Sequence, residues 1–271
     1  MAENTEANRD AKQGMALALA IWIITIVSVA YFFKYGLPDL ASTRAAQDTL
    51  YYVILVLTGF FYVAVQGFLG LYVWKYRHRD DAEGSYWHDS HKLEMSWTIG
   101  TAVILIPVVF AGLLIWQDVK AAPPEGDMLT IEAVAAQFQW DFRYPGPDGE
   151  FAAWRPELYS LENYLGVEAG DPAGADDIHM INQLVIPVDQ PVRILLRSKD
   201  VQHAFFLPNH RVKQDVMPGI QTMVWFTPTV VGEYEIACAE LCGLGHYRMR
   251  AFLSVRSEAD YQAWLTEQAN Q

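Results

Sequence analysis

The sequence predicts a two-part fold: N-terminal transmembrane helices, two or three in number, followed by an all-β domain of sandwich or barrel type. Three apolar runs near the N-terminus predict the first part. A change near residue 118 to short β-branched and aromatic segments broken by Pro, Gly and Asp predicts the second. At 271 residues and 52% hydrophobic content, the chain has room for a membrane anchor and one ordinary domain, and not for several large ones. The expected divisions are 1–118 for the anchor, 119–257 for the β-domain and 258–271 for a helical C-terminal tail.

The apolar runs are Met15 to Phe33, Tyr51 to Trp74 and Met95 to Trp116, and none contains a charged side chain. Each is long enough to cross a bilayer, which takes about 20 apolar residues in a helix. The expected helices are about 15–34, 50–75 and 95–117. Basic residues in short loops stay on the cytoplasmic side. Lys75, Arg77, Arg79 and Lys92 lie between the second and third runs, and Arg9 and Lys12 precede the first, so both segments read as cytoplasmic. The β-domain then lies outside the cell membrane. The first run also resembles a secretory signal, with basic residues ahead of an apolar stretch. Its spanning length favours a retained helix.

From Asp118 onward, 22 acidic residues face 11 Lys and Arg, so most of the chain's net charge of −13 belongs to the outer domain. Such a balance keeps a domain soluble and also attracts a basic soluble partner through a long-range field. Strands are expected at Met128–Tyr144, Ile178–Val188, Val192–Ser198, Gln221–Pro228, Tyr234–Ala239 and Arg248–Val255, in an antiparallel arrangement. The Gly- and Pro-rich stretches Pro145–Gly149 and Glu168–Asp177 are expected as loops.

The chemistry is concentrated between Cys238 and Met249, where the chain's two cysteines, His246 and Met249 follow a C-x3-C-x3-H-x2-M spacing. Thiolate, imidazole and thioether together select copper, with methionine as a weak outer ligand in electron-transfer sites. A disulfide would close only a very small loop and would leave His246 and Met249 without a purpose. Zinc prefers closed sets of Cys and His, and methionine serves it poorly. A second imidazole is expected from His203, at the end of a predicted strand, with His210 in Pro208-Asn209-His210-Arg211 as its rival.

These residues resemble subunit II of the cytochrome c oxidases, a family with a binuclear copper centre, CuA, in a cupredoxin-like Greek-key domain. The resemblance covers roughly Tyr51 to Val255, including the last two membrane segments, the aromatic strand Gln137–Tyr144, His203, Asp215-Val216-Met217-Pro218-Gly219 and the cysteine loop. It implies two coppers bridged by Cys238 and Cys242, one imidazole each from His203 and His246, and weak outer ligands from Met249 and the Glu240 carbonyl. By the same resemblance, the Glu240 side chain reaches a magnesium at the boundary with a catalytic subunit. Trp140 matches the aromatic through which electrons enter, and Glu94 matches the mouth of a proton path.

The implied partners are a haem-copper catalytic subunit, other membrane subunits and a soluble or membrane-bound cytochrome c or similar donor. The implied location is the inner (cell) membrane of a bacterial-type cell. The first helix, the acidic loop Glu150–Asp177, Lys199 and Ile220 depart from the family pattern. Two other classes share parts of it. A copper-free quinol oxidase scaffold has the fold without the ligand set, and a membrane-tethered copper-delivery protein has C-x3-C without the following H-x2-M. The intact set of donors and the strand-rich outer domain disfavour both.

Overall fold

A computed structural model describes residues 2–79, 83, 84, 86–120, 123, 126 and 128–270, with side chains from residue 11 onward, so the Arg9 side chain lies outside the description. The chain divides into two compact units, one comprising 1–37 and 46–120 and the other 38–45 and 121–271.

The first unit is helical: α1 (Ala2–Lys34), α2 (Ala45–Lys75) and α3 (His91–Lys120). All three are long and apolar enough to cross a membrane. α1 packs on α2 where Trp22 lies over a glycine pair, its Nε1 donating to the Gly67 carbonyl at 3.4 Å. A Cβ at Gly70 would fall 2.3 Å from that indole nitrogen, so only glycine admits the ring there. Close approach over small residues is how helices associate in lipid, where burial of apolar surface supplies no drive. α3 has no buried residue among those described.

The second unit is a β-sandwich of two five-stranded sheets. One runs in the order β3 (Ile178–Ile181), β2 (Gln139–Tyr144), β1 (Leu129–Ala136), β5 (Val192–Ser198), β8 (Thr222–Phe226). The other runs β4 (Gln183–Pro187), β10 (Arg250–Arg256), β9 (Gly232–Cys238), β6 (His203–Leu207), β7 (Val212–Val216). The pairs β1–β5 and β4–β10 are parallel, which corrects the expectation of a wholly antiparallel domain.

Two expected strands are each divided. The first breaks at Gln137 and Phe138, where the chain turns back to pair β1 with β2. The second breaks at Asn182, whose φ of 56° sends β3 to one sheet and β4 to the other. Asn182 is suited to this left-handed position. Its side chain accepts from Trp140 N at 2.9 Å, its backbone N–H donates to Trp140 O at 2.7 Å, and its carbonyl accepts from Phe252 N at 3.0 Å, so one residue pins both sheets. Strands β6 and β7, joined through a short turn at Pro208–His210, supply a hairpin beyond the expected set. The C-terminal helix α4 (Glu258–Ala269) begins with Ser257 accepting from Asp260 N and buries Tyr261 and Trp264.

The acidic excursion between β2 and β3 is held by a buried ionic cluster. Glu132 on β1 receives Arg143 of β2 and Arg197 of β5, the latter at 2.6 Å, and all three side chains are at most 4% exposed. Arg143 also meets Asp177 at 3.0 Å and the Ala152 carbonyl at 3.1 Å, while Arg197 reaches the Leu165 carbonyl at 3.2 Å and stacks 4.0 Å from the Trp154 ring. One carboxylate thus anchors two guanidiniums that grip the loop at different points, Arg143 at Ala152 and Asp177 and Arg197 at Trp154 and Leu165.

Removing one partner from a buried ionic group leaves uncompensated charge, at a cost of roughly 3–5 kcal/mol. Glu132→Gln should therefore lower the stability of the β-unit by about that amount in denaturant unfolding, with Arg143 and Arg197 left facing one another. A loss below about 1 kcal/mol would show that the cluster does not hold the loop.

Candidate metal centre

The donors arrive from two places. Cys238 ends β9, and the loop that follows carries Cys242, His246 and Met249 before β10 begins. His203 begins β6, the hydrogen-bonded neighbour of β9, with Phe205 opposite Cys238 in the register. Pairing of these strands therefore brings the isolated histidine to the cysteine loop.

Cys238 Sγ and Cys242 Sγ stand 3.9 Å apart, about twice the S–S bond length, so they form no disulfide. His203 Nδ1 lies 3.9 Å from Cys238 Sγ, and His246 Nδ1 lies 3.7 Å from Cys242 Sγ. Met249 Sδ is 3.7 Å from Cys242 Sγ, and the Glu240 carbonyl accepts from Cys238 Sγ at 3.2 Å. Two ligands bonded to one metal at roughly 2.0–2.3 Å and about tetrahedral angles are themselves about 3.3–3.8 Å apart. The observed separations, 3.2 to 3.9 Å, lie within that spacing or about 0.1 Å outside it. His203, Cys238 and Cys242 are buried, with ligand atoms all within 4.8 Å of one another.

The electrostatics favour a shared charge. Burial opposes the Cys238 thiolate, but hydrogen bonding to His203 and to the backbone around Ala204 and Glu240 outweighs it and lowers the thiol to about 6. Burial, reinforced by the neighbouring Cys238 charge, pushes Cys242 up to about 12. Burial also disfavours a charged His203, yet its bonds to Asp200 and Cys238 prevail and raise its pKa. Without metal, the pair thus holds one thiolate readily and resists a second. A cation supplies the charge needed for both.

A recess of about 400 Å³ opens beside the donors, lined by Cys238, His246, Tyr247, Arg248 and Met249. The loop leaves Leu241, Leu244 and Tyr247 exposed, Leu244 almost wholly so. Glu240 is half-buried. Its carbonyl faces Cys238.

His210, the rival imidazole, lies elsewhere. It is fully buried between the rings of Phe226 and Tyr234, at centroid distances of 5.2 and 4.8 Å, and neither ring nitrogen has a hydrogen-bond partner. Trp140 is also fully buried, packed edge-on against His203 at 6.3 Å and Phe205 at 5.5 Å. With no exposed surface, its side chain makes no contact outside the domain. The half-buried Phe138 occupies the outer position instead, and a Cβ at Gly245 would lie 2.4 Å from its ring. The paired glycines of Gly243-Leu244-Gly245 were the available signal for a ring packed on the loop. Glu94 sits in the first turn of α3, exposed, 3.9 Å from His91 Nδ1, in the separate helical unit.

Fold and site together define a chain with three helices long and apolar enough to cross a membrane and a β-sandwich that gathers soft donors into a buried cluster able to hold a metal. Two family models match the chain: cytochrome c oxidase subunit II, periplasmic domain, over residues 129–255, and cytochrome c oxidase subunit II, transmembrane domain, over residues 30–115. The alternative cytochrome c oxidase subunit 2 of Bradyrhizobium diazoefficiens is 36% identical over 257 residues, which cover 94% of this chain and 92% of that one. Cytochrome c oxidase subunit 2 of Cereibacter sphaeroides is 30% identical over 209 residues, covering 72% of this chain and 67% of its own length. Among solved structures, the periplasmic domain of subunit II of cytochrome oxidase from Bradyrhizobium japonicum is 29% identical, covers 54% of this chain and 96% of its own, and has a TM-score of 0.40.

The chain belongs to the cytochrome c oxidase subunit II family. It is accordingly a subunit of a haem-copper oxidase complex, an oxidoreductase, with a periplasmic cupredoxin-like domain, and membership implies copper.

The buried His210 yields a pH prediction. Burial, with a smaller contribution from the Arg211 charge, lowers its pKa from 6.5 to about 4. The unfolded chain therefore binds the proton first, and stability present above about pH 6.5 is lost as the pH falls toward about 4. His210→Phe should remove this component, so that the variant loses less stability than the parent across that window in urea unfolding. Parallel pH profiles would contradict the assignment.

Proposed function

We propose that this chain is the electron-entry subunit of its oxidase. In this reading it accepts electrons one at a time from a periplasmic donor such as cytochrome c and hands them to haem in the catalytic subunit, where oxygen is reduced to water. The observation that carries this reading is the unbonded thiol pair with an imidazole Nδ1 on either side. A binuclear copper centre bound there would supply one-electron redox chemistry at small structural change. Cys238, Cys242, His203 and His246 would hold the metals, with Met249 and the Glu240 carbonyl as weaker donors. The residues hold, orient and insulate, while the metal pair defines the redox chemistry.

Rigidity comes from the strand pair β6–β9 on one side and from Gln137 and Phe138 packed on the loop on the other. The exposed Leu241, Leu244 and Tyr247 of the ligand loop offer apolar contact surface, with Phe138 packed against the loop's glycines. This surface suits a donor that docks briefly, and the acidic balance of the outer domain suits a basic one. Trp140 is assigned to the wall behind His203 and not to the docking face. The Glu240 side chain is assigned to a magnesium at the boundary with the catalytic subunit, as a hard oxygen donor. Glu94 is assigned to the cytoplasmic mouth of a proton path, its exposed carboxylate standing at the start of α3.

We assign residues 1–118, apart from the connection 38–45, to the membrane anchor, with the N-terminus cytoplasmic. Basic residues flank the segment between α2 and α3. The α1–α2 connection supports the same topology, because residues 38–45 belong to the β-unit: Ala41 N donates to Asn209 O at 2.8 Å, and Thr229 N donates to Ala41 O at 2.9 Å. That connection and the β-domain must then share one side of the membrane. The largely exposed apolar surfaces of the helices are suited to lipid and to partner membrane subunits.

Loading the purified full-length chain with copper tests the proposal by metal content and electron paramagnetic resonance. Two coppers per chain, with one unpaired electron spread over both nuclei, are expected, and Cys242→Ser should abolish the shared signal. One copper with a single-nucleus pattern, or none with a Cys238–Cys242 disulfide, would refute electron entry through this site.

A further inference from the structure

The turn between β1 and β2 is tied to the metal centre by contacts that no ligand set requires. Gln137 N donates to Asp200 Oδ2 at 2.7 Å, and Gln137 Nε2 donates to the Cys242 carbonyl at 2.5 Å. Asp200 Oδ1 lies 2.8 Å from His203 Nε2 and accepts from Val201 N at 2.6 Å. The opposite ring nitrogen, Nδ1, is the one that faces Cys238. A continuous path therefore runs from the Cys242 carbonyl through Gln137 and Asp200 to His203, joining the two chain segments that carry the donors. Phe138 closes the same side. A Cβ at Gly243 would come within 2.7 Å of Gln137 Nε2, and one at Gly245 within 2.4 Å of the Phe138 ring, so this turn sets where both glycines of the loop must lie.

We propose that Asp200 and Gln137 are positioning residues: Asp200 fixes His203 as the tautomer with its proton on Nε2 and its Nδ1 lone pair aimed at the thiols, and Gln137 locks that carboxylate to the Cys242 carbonyl.

A carboxylate on the rear nitrogen makes an imidazole a stronger ligand and holds its ring plane. It also places negative charge next to the site, which stabilises the oxidised, more positive state. The reduction potential and the copper affinity are thus set in part by a turn outside the ligand loop. The proposal rests on the reading that copper occupies the site, but one of its consequences can be measured without metal.

Asp200→Asn keeps the size and an acceptor oxygen while removing the charge, and Gln137→Ala removes the side-chain tie to Cys242. In the copper-loaded full-length chain, Asp200→Asn should raise the reduction potential and weaken copper binding about 10- to 100-fold in chelator competition. Gln137→Ala should move both in the same direction by less. In the metal-free chain at alkaline pH, ¹⁵N resonances of labelled histidine should give His203 as the Nε2–H tautomer, and as a mixture in Asp200→Asn.

A purely structural role would lower the melting temperature without shifting the potential or the tautomer. Parental potential and affinity in both variants, or an Nδ1–H tautomer in the parent, would overturn the proposal. A parent chain that takes up no copper would instead overturn the copper reading, and the tautomer would still decide the positioning role.

Discussion

Two thiols held 3.9 Å apart without bonding are the constraint around which this end of the sandwich is built. Left free, neighbouring cysteines in an oxidising compartment tend to join. Held by a loop that also brings in an imidazole and a thioether, they remain a pair of unbonded donors. The loop alone cannot maintain that geometry, since Gly243 and Gly245 leave it intrinsically free. Its shape is imposed by β9 and β10 at its ends, by β6 bringing His203 alongside, and by Gln137 and Phe138 pressing from the β1–β2 turn. The site is thus a property of the fold's strand order, and the sequence motif is only its most compact part.

The candidate metal loop was legible in the sequence because its donors lie within twelve residues, and because no bland role accounts for all of them together. The choice between His203 and His210 was not, since it depends on which strand end pairs with β9. His203 lies beside Cys238 because β6 and β9 are neighbours, whereas His210 turns away into an aromatic pocket. The full burial of Trp140 was hidden for a related reason. Alternation along a strand predicts one buried and one exposed face, but β2 is covered on both faces, by the opposing sheet and by the loop that Arg143 and Arg197 hold in place. Burial on both faces abolishes the alternation. The splitting of Ile178–Val188 into strands of different sheets turns on one left-handed residue, Asn182, and asparagine occupies such positions only sometimes.

The helices were legible to within a turn or so at their C-terminal ends, because apolar length and the absence of charge suffice to predict a span. At their N-terminal ends they extend further than the apolar runs, since polar residues continue a helix once it has begun. What composition could not indicate is that residues 38–45 join the β-unit through Ala41, Ser42 and Arg44, with Ser42 Oγ donating to the His210 carbonyl at 2.9 Å. These contacts depend on backbone groups left open at the edges of β-strands and turns, and backbone groups carry no sequence signature.

The central claim is that the fold holds the donors in place before any metal arrives. Comparing the backbone of residues 238–249 in the metal-free and copper-loaded forms of the full-length chain, by high-resolution structure determination, tests it most directly. The account predicts that the loop keeps its path and that the thiols stay unbonded at about their present separation of 3.9 Å. A metal-free loop that collapses, bonds its cysteines or releases His203, and reorganises only when copper binds, would contradict it.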